Sequence, residues 1–321
     1  MNCEEFPVLA QGRVHISDDE TFGTISTEGS VVDSRTVSSV WYRRVAVPPV
    51  PKMLSDKDRE FVRGECRAFL NGFFDLLNCS WTNERGAEQR ACNKLLQLSL
   101  ARKCGLRAPR TLITNDSTRV RDFVSSTSGQ VLFKPVSGFA PQGANYIREL
   151  SAYSAHRLKY ELFDDGNDEQ LEVVFSQILT EEKMTHLESL DYCPVIFQEY
   201  VPKLVEIRVT VVGQEVFACE IHSQAAPETS VDFRRIAVTD SLHRVPHLIH
   251  ALKPHITEKL LIMMELLGIS FGCFDLILTP EGEYVFLEVN PSGQWLWIER
   301  LTGLRISECL ASFLASRRLA I

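Results

Sequence analysis

The stretch Phe271 to Glu299, FGCFDLILTPEGEYVFLEVNPSGQWLWIE, leaves this chain few ways to fold. Two apolar runs flank Thr279-Pro280-Glu281-Gly282-Glu283, where Pro and Gly mark a turn, so an antiparallel β-hairpin is predicted. Side chains alternate along a strand, which puts Glu288 and Asn290 on one face with Tyr284 and Phe286 behind them. A loop of Pro280 to Glu283 sets Asp275 directly across from Glu288. Three oxygen donors then converge at one end of an otherwise apolar hairpin. Two facing carboxylates repel unless a cation lies between them, and hard oxygen ligands favour Mg²⁺ over zinc. A polar strand end facing solvent would carry the same residues.

Composition narrows the setting. At 321 residues with 45% hydrophobic content the chain has room for two or three packed subdomains. A net charge of -8 without a basic stripe argues against nucleic acid as the main partner. The nine cysteines are scattered with no C-x-x-C pair, as in a reduced cytoplasmic protein. No signal peptide opens the chain and no apolar run is long enough to span a membrane.

In chain order, strand-like pieces at Arg13–Ile16 and Val37–Val47 predict a small β-rich N-terminal sheet, ended by Pro48, Pro49 and Pro51. Ser55 and Asp58 open a core helix in capping-box fashion, and a second helix is predicted from Ala87 to Lys103, closed by Gly105. Lys94 lies in it, where a solvated lysine on a helix face is the plain reading. Pro109 to Asp116 reads as a strand feeding a capped helix, and Val131–Lys134 as another strand. A lysine closing an apolar strand before Pro135 is a costly charge unless an anion meets it. Ser137 to Gly143 is a Gly-bearing loop. The acidic clusters Asp164-Asp165 to Glu172 and Glu181-Glu182 read as solvated turns and a helix face.

Val195–Val201 is a buried strand, and Glu206–Val212 with Val216–Ile221 makes a hairpin around Gly213-Gln214. Arg208 shares a face with Glu206. Arginines inside an apolar sheet need an anion, so a phosphate partner is expected for Arg208 and at least one of Arg234 and Arg235, with salt bridges to nearby acids as the rival reading. His243, His247 and His250 flank Pro246, which breaks any helix that would align them, and are read as surface residues. Helices at Pro254–Leu267 and Ile306–Leu319 complete the chain.

D-L-I at Asp275 followed by L-E-V-N-P-S-G resembles the metal-binding end of the ATP-grasp fold. Trp41-Tyr42-Arg43-Arg44 and Gln294-Trp295-Leu296-Trp297-Ile298-Glu299 resemble more narrowly the ATP-grasp ribosomal peptide maturases, the graspetide or microviridin-type macrocyclases, relatives of the RimK-like ligases. The likeness runs from about Ala91 to the end. It implies an α+β or α/β chain with an ATP-grasp fold behind a small, shortened N-terminal α/β domain. Domains would fall at 1–90 (pre-ATP-grasp), 91–190 (central) and 191–321 (C-terminal). The chain starts where such proteins already have a further strand and helix, so either that domain is reduced or the start codon is misassigned.

The resemblance also implies ATP and Mg²⁺ as cofactors. Lys94 and Lys134 would reach the phosphates, Glu199, Tyr200 and Val201 the adenine edge, and Glu206 the ribose. Asp275, Glu288 and Asn290 would hold the metal. Arg208, with Arg234 or Arg235, would stabilise the oxyanion formed when a hydroxyl or amine attacks an acyl phosphate. The implied product is a side-chain ester or amide closing a ring within a ribosomal precursor peptide, whose leader segment is read by the enzyme. Asp191 is a weak candidate leader contact. A homodimer, without nucleic acid or membrane, completes the expectation. Two other readings share the signature: a ligase joining two molecules, and a non-catalytic peptide-binding relative.

Overall fold

The computed structural model describes residues 6–43, 48–51, 53–136, 139–141, 171–173, 175–237 and 244–316, in two units, one of 6–84 with 310–316 and one of 85–309. In the first unit β1 (Ala10–Ile16), β2 (Thr21–Thr27) and β3 (Ser30–Asp33) form an antiparallel meander, and β4 (Ser39–Trp41) pairs in parallel with β5 (Ser80–Thr82). Helix α1 (Asp56–Asp75) starts where Ser55 accepts a hydrogen bond from the Asp58 N–H, and it buries Leu70, Phe73 and Phe74 with Phe6 and Ile25. A small N-terminal sheet forms, but the Arg13–Ile16 piece pairs in it with β2, while Ser39–Trp41 of the second predicted piece pairs with β5 in a separate sheet. Arg44 and the end of the predicted Val37–Val47 strand lie outside the described residues.

The second unit opens with α2 (Arg85–Ala91) and α3 (Lys94–Lys103), not with one helix. Asn93 is the reason: its side chain accepts hydrogen bonds from the Leu95 and Leu96 N–H groups at 3.0 and 3.1 Å, restarting the helix. Lys94 thereby becomes a first-turn residue. There follow β6 (Thr111–Thr114), α4 (Ser117–Ser125), β7 (Val131–Pro135), β8 (Phe139–Pro141), β9 (Leu171–Val173), β10 (Gln177–Ile178), α5 (Glu181–Met184) and β11 (Val195–Glu199). Four of these strands make an antiparallel sheet in the order β10-β7-β11-β6. The predicted division at residue 190 does not follow the sheets, because β11 belongs with β6 and β7. Ser137, Gly138, residues 142–170, the side chain of Asp191 and His243 lie outside the described residues, and with them most of the Gly-bearing loop and the acidic cluster from Asp164.

A five-stranded antiparallel sheet carries the rest: β12 (Val205–Val212), β13 (Glu215–Ile221), β14 (His247–Ile249), β15 (Phe271–Leu278) and β16 (Tyr284–Asn290), in the order β14-β13-β12-β15-β16. Helix α6 (Pro254–Leu267), ended by Gly268 at a φ of 72°, packs on it through Leu260, Met263 and Met264. Helices α7 (Leu296–Thr302) and α8 (Ile306–Ser316) follow. No helix of the described residues is long and apolar enough to cross a membrane. Their eight cysteines are free thiols.

The hairpin forms with Asp275 opposite Glu288, by a route the alternation does not give. Leu278 pairs with Tyr284, so the loop has one residue more than predicted, and a bulge at Leu287 restores the match. Tyr284 and Phe286 therefore do not lie behind Glu288. They face the helices, where Phe286 meets Phe274 edge to face at 6.3 Å between ring centres. The histidines also differ from the surface placement. His250 sits between Glu220 (2.7 Å) and the Tyr284 hydroxyl (2.6 Å), and the His247 ring is partly buried against Trp297.

Asn93→Ala should cost about 1 kcal/mol through the lost cap. Thermal denaturation should show a fall in Tm of about 2–4 °C, whereas Asn93→Asp, which keeps a capping oxygen, should stay near the parent.

Candidate active site

A cleft opens in the second unit, enclosing about 610 Å³ of space that is partly open to solvent. Pro109, Leu132, Val201, Ile277 and Leu287 give it an apolar end, while Lys134, Glu206, Asp232, Arg234, Asp275 and Glu288 line the polar one. Strand pairing sets the polar row. Glu288 lies across from Asp275, which lies across from Arg208, on the face opposite the Phe274 and Phe286 core.

Arg208 is not left to a missing anion. Its Nη1 donates to both Asp275 oxygens, at 2.8 and 2.9 Å, and Nη2 to the Gln294 carbonyl at 3.3 Å. Burial and the Glu288 charge push the Asp275 carboxyl upward, against the pull of the guanidinium. Glu288 behaves in the opposite way. Burial raises it too, but Lys94, Arg234 and Lys134 outweigh that and hold it at about 2, with the Lys94 Nζ 3.5 Å from its carboxylate. The helix restart at Asn93 is what aims Lys94 here, so it is not the solvated lysine of the plain reading. Gly293 permits the arrangement: a Cβ there would lie 2.9 Å from Arg208 Nη2 and 2.6 Å from Cys273 Sγ.

Arg234 is likewise already paired. Asp232 accepts from its Nε (2.9 Å) and Nη2 (2.6 Å), and from the Ser176 N–H at 2.9 Å. That charge holds Asp232 well below the usual carboxylate range despite burial. For Arg208 and Arg234 the salt bridges to nearby acids, the rival to a phosphate partner, are present. Arg235 lies over the Phe175 ring, 5.0 Å from its centre, and does not line the cleft. Asn290 shares the site face through its pairing with Cys273, but it is exposed and its Oδ1 accepts from the Ser292 N–H at 3.0 Å.

Lys134, on β7, makes no hydrogen bond or ion pair among the described residues, and burial pushes its ammonium down to about 8. At the apolar end the Glu199 and Tyr200 N–H groups are used by the Arg110 and Gln130 carbonyls, at 3.0 and 2.8 Å. The Val201 N–H makes no backbone hydrogen bond among the described residues. Glu206 is gripped by Lys203 at 2.6 Å, its other oxygen is buried without a hydrogen bond among the described residues, and burial raises it to about 6 against the pull of Lys203 and the nearby Ser223 hydroxyl.

The cleft thus brings together Lys134, Glu199, Tyr200, Val201, Glu206, Arg234, Asp275 and Glu288; Lys94 and Arg208 join through their ion pairs. Lys203 and Asp232 escaped the reading as functional residues. A charge inside the apolar phrase V-P-K-L-V-E-I, and an acid two residues before Arg234, were the available signals.

The cations around Asp275 and Glu288 also bear on whether a metal suits the corner. Among the described residues no three His, Cys, Asp or Glu side chains cluster as a self-sufficient cage. Two carboxylates with an amide oxygen nearby fit Mg²⁺, which takes one or two carboxylates and fills its shell with water and phosphate oxygens.

Residues 1–89 match the family described as the MvdD pre-ATP grasp domain. Several solved structures are similar over 98% of this chain. The macrocyclase MdnB from Microcystis aeruginosa MRC is 31% identical, with a TM-score of 0.73 and 89% of that chain covered. MdnC from the same organism, bound with precursor peptide MdnA, is 27% identical, with a TM-score of 0.79 and 89% covered. The Chryseobacterium gregarium RiPP-associated ATP-grasp ligase, in complex with ADP and a leader and core peptide, is 27% identical, with a TM-score of 0.83 and 87% covered. No curated protein matches the chain.

Lys134 carries a pH signature. Its folded value of about 8 lies below the ordinary lysine value of 10.5, so its charge destabilises the ligand-free fold fully below pH 8 and not at all above about 10.5. Lys134→Met should raise stability by about 1–2 kcal/mol at pH 7 after allowance for partial exposure. Denaturant titrations should show that gain fading as pH rises from 8 toward 10.5.

Proposed function

Since the chain belongs to the family of ATP-grasp macrocyclases that includes MdnB, we propose that it uses ATP and Mg²⁺ to activate Asp or Glu side chains of a ribosomal precursor peptide and closes intramolecular esters or amides. It is an ATP-grasp ligase. The observation that carries the detailed reading is that one cleft gathers two facing acids, an apolar end, and a lysine, a backbone N–H and a buried carboxylate oxygen for which the described residues supply no hydrogen-bond partner. A nucleoside triphosphate has a complement for each.

In this reading the adenine lies between Leu132, Ile277 and Leu287, and the Val201 N–H donates to its edge beside Glu199 and Tyr200. Glu206, held by Lys203, accepts from a ribose hydroxyl through its spare oxygen. Lys134, relieved of its desolvation cost by an anion, and Lys94 take the phosphate charge. Asp275, Glu288 and Asn290 hold Mg²⁺, which supplies charge neutralisation at the transferring phosphate. Arg208 and Arg234, oriented in advance by Asp275 and Asp232, receive the substrate carboxylate and then the oxyanion of the attacked acyl group. Because both reacting groups belong to one peptide, holding the loop shut replaces a bimolecular encounter.

The subdomains assigned are a pre-ATP-grasp segment to about residue 90, a central part through Glu199, and a C-terminal part from Val205. The partner is a precursor peptide with a leader, the assembly proposed is a homodimer, and the location cytoplasmic.

The test is incubation with ATP, Mg²⁺ and the product of a small neighbouring reading frame rich in Thr and Asp or Glu. Loss of one water per ring from a single peptide, with one ADP formed for each, is the expected result. A product equal to two joined molecules would instead make this an intermolecular ligase, and binding without ATP turnover a non-catalytic relative. Glu288→Gln should lower turnover by about 100-fold or more while leaving the fold intact.

A further inference from the structure

Gln97 is 2% exposed, one turn beyond Lys94 on α3. Its Nε2 donates to the Ala91 carbonyl at 2.6 Å and the Val289 carbonyl at 2.7 Å, and its Oε1 accepts from the Val289 N–H at 3.0 Å. Strand β16 is the outermost of its sheet, so the primary amide takes the place that a next strand would occupy. Val289 stands between Glu288 and Asn290. On the near side of the bulge the Phe286 N–H donates to the Arg107 carbonyl at 2.8 Å. These two lateral ties bracket Leu287 and Glu288, the stretch where the bulge interrupts the ladder.

We propose that Gln97 is a positioning residue for the cation site: by clamping both backbone groups of Val289 it fixes the spacing of Glu288 and Asn290, and it holds the helix that presents Lys94 to Glu288. The inference rests on the assignment of Glu288 and Asn290 as ligands above. Its role is distinct from filling the core, since a bulky apolar side chain at 97 could occupy the volume but would leave the Val289 N–H and carbonyl unpaired beside the site. A neighbour on the same helix, Leu100, is buried in the core without touching the site and serves as the comparison.

The experiment measures the rise in Tm produced by ADP as Mg²⁺ is titrated, a binding readout independent of turnover. Gln97→Met should need about tenfold more Mg²⁺ than the parent for half of the full shift. Gln97→Glu, which keeps an acceptor but loses the donor, should shift the midpoint in the same direction and stands in if the Met variant does not fold. Leu100→Ala should lower the ligand-free Tm and keep the parental Mg²⁺ midpoint. A parental midpoint in the Gln97 variants, or an equal displacement in Leu100→Ala, overturns the proposal. Glu288→Gln separates the two levels: if it also keeps the parental midpoint, the cation assignment itself falls; if it alone is displaced, only the role of Gln97 does.

Discussion

Two carboxylates on neighbouring strands, Asp275 and Glu288, face each other on a largely buried surface, and much of the second unit is arranged to tolerate them. Burial first, and then the like charge of Glu288, push the Asp275 carboxyl upward against the pull of Arg208. The compensation is distributed. Arg208 comes from the adjoining strand, Lys94 from a helix start, and Lys134 and Arg234 act from further off. Burying so many charges costs stability wherever partners are imperfect, and Lys134 is the imperfect one. Such a cluster makes sense as a receptor for something itself strongly charged.

Much of this was legible beforehand, for uneven reasons. Pro280 and Gly282 fixed the turn, and charged residues inside apolar runs fixed the opposition of Asp275 and Glu288. That pairing is compatible with two registers, however. A four-residue loop without a bulge and a five-residue loop with one both oppose the acids, and they differ in which face Tyr284, Val285 and Phe286 occupy. The aromatic core decides, through Phe286 against Phe274, and no local pattern encodes that choice.

Other misreadings share a cause: a local rule met a tertiary partner. Helical periodicity runs through Cys92 and Asn93, yet the Asn93 side chain competes for the backbone and restarts the helix. For Arg208 an external anion was weighed ahead of a salt bridge because its acidic partner, Asp275, lies 67 residues away on another strand. His250 looked superficial because Glu220 and Tyr284, which enclose it, are 30 and 34 residues away in the chain. Lys203 and Glu206 show the reverse case, a short-range ion pair that was in plain view and passed over.

The bulge at Leu287 divides one strand between two masters. Tyr284, Val285, Phe286 and Val289 answer to packing, while Leu287 and Glu288 answer to whatever occupies the cleft. Drift in the first set can proceed without disturbing the second, and new substrates can be explored through the second without renegotiating the core. A lineage built on such a strand can diversify its chemistry cheaply.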